Sequence, residues 1–233
     1  MHAQDVVRAL EKLSSLEKAK TSAWFFKTGK GEYGHGDVFY GITVPEQRTV
    51  AKKFCNLPLS EIEILLKNNV HECRLTALII LVEAYKKANG GDRSGIARFY
   101  SAHTAYINNW DLVDISAPYI LGTHLRSRNR AILYSFARSK NVWKRRIAIV
   151  ATFAFIRANQ FTDTLAIAEI LMNDTHDLIH KAVGWMLREV GKRSIETERG
   201  FLEEYAPHLP RTTLRYAIER FPEAERQYFL KKK

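Results

Sequence analysis

Trp110-Asp111-Leu112-Val113-Asp114 has four counterparts in the chain: Arg74-Leu75-Thr76-Ala77-Leu78, Arg146-Ile147-Ala148-Ile149-Val150, Lys181-Ala182-Val183-Gly184-Trp185 and Arg215-Tyr216-Ala217-Ile218-Glu219. Their first members stand 36, 36, 35 and 34 residues apart. That period is close to the two-helix unit of HEAT-like repeats, though a little short of the usual length. A unit of this kind buries its apolar face only by stacking on its neighbours. The expected architecture is therefore all-α: a curved superhelical solenoid of HEAT-like two-helix repeats, forming one domain over residues 1–233.

The rest of the chain agrees with a helical reading. Residues 4–20 space Val6, Val7, Leu10, Leu13 and Leu16 as on one amphipathic helix. Four of the twelve glycines fall between Trp24 and Asp37, which marks a loop. It lacks the Gly-Lys-Ser/Thr ending of a phosphate-cradling loop. Pro45 suits the first turn of a helix running to Phe54, and Ser60 with Glu63 reads as a capping box. Helices are then predicted over 60–68, 71–89, 93–107, 110–123, 127–139, 142–158, 162–172, 176–191, 196–206, 210–220 and 222–231. The breaks between them are rich in Asn, Gly, Asp, Ser and Pro.

Composition narrows the function. Apolar residues make up 46% of the chain, enough for a packed core. No run of 18 apolar residues is present, so no membrane span is expected. The charged start lacks the apolar stretch of a secretory signal. Cys55 and Cys73 sit in apolar helical contexts and read as buried thiols. A cytoplasmic bacterial protein, at the nucleoid when bound to DNA, is the expectation. No Cys/His spacing suits zinc, so neither metal nor cofactor is expected. The net charge of +11 favours a polyanionic partner.

The repeat register gives that charge a location. Its first position is basic in four of five units, so Arg74, Arg146, Lys181 and Arg215 form a column across successive helices. Adjacent helices lie about 8–10 Å apart, a pitch suited to a phosphate backbone. Trp110 interrupts the column, and one turn later Asp114 sets a carboxylate where the other units carry Leu78, Val150, Trp185 and Glu219. Residues four apart share a helix face. A carboxylate there opposes phosphate binding. It either neutralises a neighbour such as Arg146 or meets a positive charge in the ligand. Trp143 is assigned to the core and Asp111 to the helix start, where its charge suits the macrodipole. Arg188 and Lys192 continue the basic face, and His180 is a lesser candidate for a phosphate contact.

Trp110-Asp111-Leu112-Val113-Asp114, Asn141-Val142-Trp143-Lys144-Arg145-Arg146-Ile147-Ala148 and Lys181-Ala182-Val183-Gly184-Trp185-Met186-Leu187-Arg188-Glu189 together resemble the AlkD family of DNA alkylation-repair glycosylases. So do Phe25-Phe26-Lys27-Thr28-Gly29 and Gly41-Ile42-Thr43-Val44-Pro45-Glu46-Gln47-Arg48. The resemblance implies release of cationic N3- and N7-alkylated purines by hydrolysis of the N-glycosidic bond, without a base-binding pocket. It puts the catalytic aspartate at Asp114, the aromatic residues beside the lesion at Trp110 and Trp185, and a basic groove residue at Arg146. Lys181, Arg74, Arg145, Arg188 and Arg215 complete the expected DNA-binding set. The expected partner is double-stranded DNA containing alkylated purines, bound by a monomer. No lysine is placed as a Schiff-base nucleophile, so a monofunctional enzyme is expected. The chain departs from the family pattern at Phe25, where some members carry Tyr, and in a longer Gly-rich loop. The competing reading is a non-catalytic HEAT-repeat protein that binds DNA structures or an acidic protein partner.

Overall fold

The computed structural model describes residues 1–232. Its α-helices are α1 (Ala3–Glu11), α2 (Leu16–Phe25), α3 (Val44–Lys53), α4 (Leu59–Leu66), α5 (His71–Lys87), α6 (Gly90–Ala102), α7 (Trp110–Asp114), α8 (Thr123–Leu125), α9 (Ala131–Ala137), α10 (Val142–Ala151), α11 (Phe153–Ile156), α12 (Thr162–Ile170), α13 (Asp177–Gly191), α14 (Ile195–Tyr205), α15 (Arg211–Ala217) and α16 (Glu223–Lys231). Tighter 3₁₀ turns cover Thr104–Tyr106 and Ile218–Arg220, and a π-helical turn covers Pro118–Gly122. Among the described residues the β structure is one isolated parallel bridge, Val38 to Val70. Among the described residues no helix is long and apolar enough to cross a membrane.

The chain divides into two compact units, Met1–Ile120 and Leu121–Lys233. In the first, α5 is the hub. It is buried continuously from His71 through Val82, and α1, α3, α4, α6 and α7 all pack on it. Its leading polar residues must then find partners inside the unit, because buried polar groups are stable only when hydrogen-bonded. Glu72 does so by accepting from three successive backbone amides, Tyr40, Gly41 and Ile42, at 3.0, 2.8 and 3.2 Å. Gly41 has φ +77°, and a Cβ there would lie 2.4 Å from the Ser15 carbonyl oxygen, so only glycine fits. In the second unit α10, α13 and α15 pack side by side in sequence order. These three helices carry the register residues Arg146, Lys181 and Arg215. In the first unit the register residues Arg74 and Trp110 lie on α5 and α7, which also pack together.

Several expected boundaries move, each for a local reason. The helix expected over 4–20 is two helices, because the Ser15 side chain caps a new one by accepting from the Lys18 amide at 3.4 Å. Leu13 and Leu16, expected on the buried face, are exposed. The Ser60–Glu63 capping box does not form. The helix starts at Leu59 behind Pro58, and Glu63 instead binds Lys67 at 2.6 Å. Gly90 and Gly91 open α6 rather than break the chain. The helix expected over 110–123 stops after five residues. There the Ser116 hydroxyl donates back to the Leu112 carbonyl at 2.5 Å, and Pro118, which has no N–H, opens the π turn. The 142–158 helix divides at Thr152, whose hydroxyl bonds the Ile149 carbonyl. Cys73 is buried as expected; Cys55 is only half-buried and follows the end of α3.

Candidate active site

The residues singled out in the first unit sit on α7. Asn109 is fully buried, and its side-chain oxygen accepts from the Trp110 amide at 2.8 Å, capping the helix. Leu112 and Val113 point inward and are fully buried. The opposite side carries Trp110 and Asp114, one turn apart and both partly exposed. Asp114 acts on its surroundings electrostatically. Burial raises the pKa of the Tyr100 hydroxyl, a hydrogen bond with Ser116 at 3.0 Å opposes that shift, and the Asp114 charge adds to it. Tyr100 therefore stays a neutral phenol beside the carboxylate.

The Trp110 ring is held by an aromatic cluster from the N-terminal segment. Phe26 stacks on it, with centroids 5.5 Å apart and planes 22° apart, and Phe25 meets it edge-on at 6.0 Å. Phe26 also stacks on Phe39 at 5.2 Å and lies 4.8 Å from the His71 ring. His71, the first residue of α5, is bonded on both sides: its Nε2 meets Asp111 Oδ2 at 2.8 Å and its Nδ1 meets Asp37 Oδ2 at 3.3 Å. Burial alone would lower the His71 pKa. The Asp111 carboxylate, by charge and hydrogen bond, and then Asp37 overcome this and raise it to about 9. Asp111 thus does more than decorate a helix start. It caps by accepting from the Leu112 amide at 2.8 Å and ties α7 to α5 through His71.

In the second unit, Trp185 is half-buried on α13. Its indole N–H donates to Glu189 Oε1 at 3.2 Å, and Phe153 lies 5.9 Å away. Glu189 also binds Lys192 at 2.6 Å. Gly184 lets α13 and α15 approach closely, since a Cβ would stand 2.4 Å from the Thr213 carbonyl oxygen. Trp143 is buried, in the core as expected.

The basic column is only partly a surface feature. Arg74 is a correction to it: 4% exposed, it donates to Asp37 at 2.6 Å and to the Asn68 carbonyl at 2.8 Å, so it works inside the first unit. Arg145 is likewise committed, to Asp174 at 2.5 Å and to the carbonyls of Ser139 and Lys140. Arg146 is buried and donates to the Leu178 carbonyl at 2.6 Å, and Arg188 pairs with Glu219. The His180 ring meets the Asp174 carbonyl at 2.5 Å. Lys181 and Arg215 keep substantial exposure, Lys181 in an i,i+4 pair with Asp177 at 2.6 Å. Arginines that lead an apolar helix must either snorkel or be paired, and the register does not distinguish the two. His71, Asp37 and Phe26 were not anticipated as part of the site. The available signal was three polar residues, His71, Glu72 and Arg74, within the first four positions of a helix otherwise apolar enough to be buried.

A cleft of about 680 Å³ in the second unit is lined by Arg130, Asn159, Gln160, Asp163 and Thr197, and contains none of the expected site residues. Arg130 is bonded within it, to Asp163 at 2.5 Å and to Gln160.

No curated protein sequence matches the chain. Two of the solved structures that resemble it are the following. One, described as a predicted DNA alkylation repair enzyme from Enterococcus faecalis, is 19% identical with a TM-score of 0.72, covering 90% of this chain and 97% of its own. The other, AlkD2 from Streptococcus mutans, is 17% identical with a TM-score of 0.55, covering 94% of this chain and 98% of its own. At these identities the likeness concerns the fold. The profile of the family described as DNA alkylation repair enzyme matches residues 6–221, which includes α7, α10 and α13 with all their site residues. On that match, and in agreement with the resemblance carried by its motifs, the chain belongs to the DNA alkylation repair enzyme family.

Proposed function

We propose that the protein is a monofunctional DNA glycosylase that hydrolyses the N-glycosidic bond of cationic N3- and N7-alkylated purines in duplex DNA, as the first step of base excision repair. The observation that carries this reading is Asp114 itself. It is a partly exposed carboxylate one turn from a partly exposed tryptophan, on a capped helix, in a chain of net charge +11.

Alkylation at N3 or N7 leaves the purine positively charged and weakens its bond to the sugar. The base departs neutral and needs no general acid. The transition state places positive charge on the sugar, and a carboxylate facing it supplies electrostatic stabilisation. The same oxygen can orient or deprotonate the attacking water. Trp110 offers a flat apolar wall that excludes bulk water and strengthens this interaction. Trp185 serves as the second aromatic contact, and Lys181, Arg215 and the little surface Arg146 exposes serve the phosphates. A HEAT-like solenoid of one functional domain, acting as a monomer in the bacterial cytoplasm, completes the reading.

The test is base release from a duplex carrying N7-methylguanine or N3-methyladenine, comparing wild type with Asp114→Asn. Wild type releases base, and the variant loses about 10²-fold or more in single-turnover rate while keeping its DNA affinity. Equal rates in the two proteins remove Asp114 from the chemistry. Tight binding without release by either protein favours the non-catalytic DNA-binding reading.

A further inference from the structure

We propose that the Gly-rich loop is a positioning element for α7, and that His71 is the positioning residue through which it acts. The proposal rests on the glycosylase reading for its kinetic consequence, but not for its geometry. The two ends of the loop reach the same short helix by different routes. At its start, Phe26 stacks on Trp110. At its end, Asp37 joins His71, and His71 joins Asp111, the neighbour of Trp110. The loop closes between these ends. Lys27 takes a φ of +56° and its carbonyl accepts from the Gly34 amide at 3.0 Å, while a Cβ on Gly34 would stand 2.2 Å from the Phe26 carbonyl oxygen. Backbone bonds from Val38 to Asn69 and from His71 to Val38 fix the exit of the loop against the head of α5.

A five-residue helix has little stability of its own. What holds α7 in place is its buried side and these two attachments. The groups facing His71 are the carboxylates of Asp37 and Asp111, the guanidinium of Arg74 and the rings of Phe26 and Phe39. Two carboxylates against two cations make a neutral cluster only while the imidazole is protonated. Its side chain is 2% exposed, so a loss of that proton would leave a net buried negative charge beside Asp111. The cluster is then expected to loosen, and Trp110 and Asp114 with it. The pKa near 9 gives the pH at which this would be seen.

Three measurements on His71→Gln test the clamp. In single turnover at pH 7, base release falls about tenfold or more, while affinity for undamaged duplex stays within about twofold. In wild type, tryptophan fluorescence changes with a midpoint near pH 9, and this transition is absent from both His71→Gln and Trp110→Phe. Gly184→Ala, in the other unit, serves as a control for general destabilisation and keeps the wild-type fluorescence midpoint. A wild-type rate in His71→Gln overturns the proposal, as does a fluorescence transition near pH 9 that persists in it. Should His71→Gln not fold, Asp111→Asn carries the same comparison: the same rate loss supports the clamp and a wild-type rate overturns it. Absence of base release by wild type rejects the glycosylase reading alone, and the fluorescence titration then decides the clamp.

Discussion

Replacing Glu72 by Ala should destabilise the first unit severely. The carboxylate is 2% exposed and accepts from the amides of Tyr40, Gly41 and Ile42. Hydrogen bonds to a charged acceptor contribute roughly 1.5–3 kcal/mol each, but three donors share one desolvated carboxylate, so the lower figure applies. The substitution then removes about 4.5 kcal/mol and leaves the three amides without their acceptor, those of Gly41 and Ile42 inside the buried part of the unit. For a protein of this length, 1 kcal/mol corresponds to roughly 2–4 °C in Tm, which gives a fall of about 9–18 °C. Glu72→Gln can keep an acceptor oxygen for the Gly41 and Ile42 amides but then turns its N–H₂ group toward the Tyr40 N–H, and should recover part of the loss. Thermal unfolding followed by circular dichroism measures both variants. Glu63→Ala, whose partner Lys67 is surface-exposed, serves as reference and should shift stability by no more than about 0.5 kcal/mol. A fall below about 3 °C for Glu72→Ala would refute the reasoning, since the amide nest could then be satisfied without the carboxylate.

Further predictions follow from the second unit. Gly184→Ala places a Cβ against the Thr213 carbonyl and should destabilise by about 1–3 kcal/mol, read from the urea midpoint. Glu198 is 1% exposed, and burial, only partly offset by Arg188, raises its pKa to about 8. A carboxyl raised in the folded state stabilises fully below its ordinary value near 4.5, and that contribution is lost as pH rises towards 8. Glu198→Gln should therefore be close to neutral at pH 4–5 and more stable than wild type by on the order of 2–3 kcal/mol at pH 7, in parallel denaturant titrations. DNA affinity should fall steeply with salt, and the double change Lys181→Ala, Arg215→Ala should reduce the slope of log K against log salt by about 2, measured by fluorescence anisotropy. The same change at Arg74 should alter stability rather than the slope, because its guanidinium is bonded inside the first unit.

The helical class and the placing of Trp110 with Asp114 on one face of α7 were legible in sequence because they follow from local chemistry. Apolar spacing and a 34–36-residue recurrence need no knowledge of the partner surface. The register also identified helices that pack together, α10 with α13 and α13 with α15. What it could not assign was the work of each cation. Arg74 and Lys181 occupy the same register position, yet one is buried against Asp37 and the other is only half-buried. Asp37 is 37 residues from Arg74 in the chain, and only packing brings the two together.

Trp110 and Asp114 show the same division on a smaller scale. Their common face is a property of helical spacing, so sequence alone determined it. Their support was decided by tertiary structure: Phe26, Asp37 and His71 converge on α7 from separate segments. A buried imidazole between two carboxylates depends on long-range contacts and a shared loss of solvent. Neither has a periodic trace in the chain.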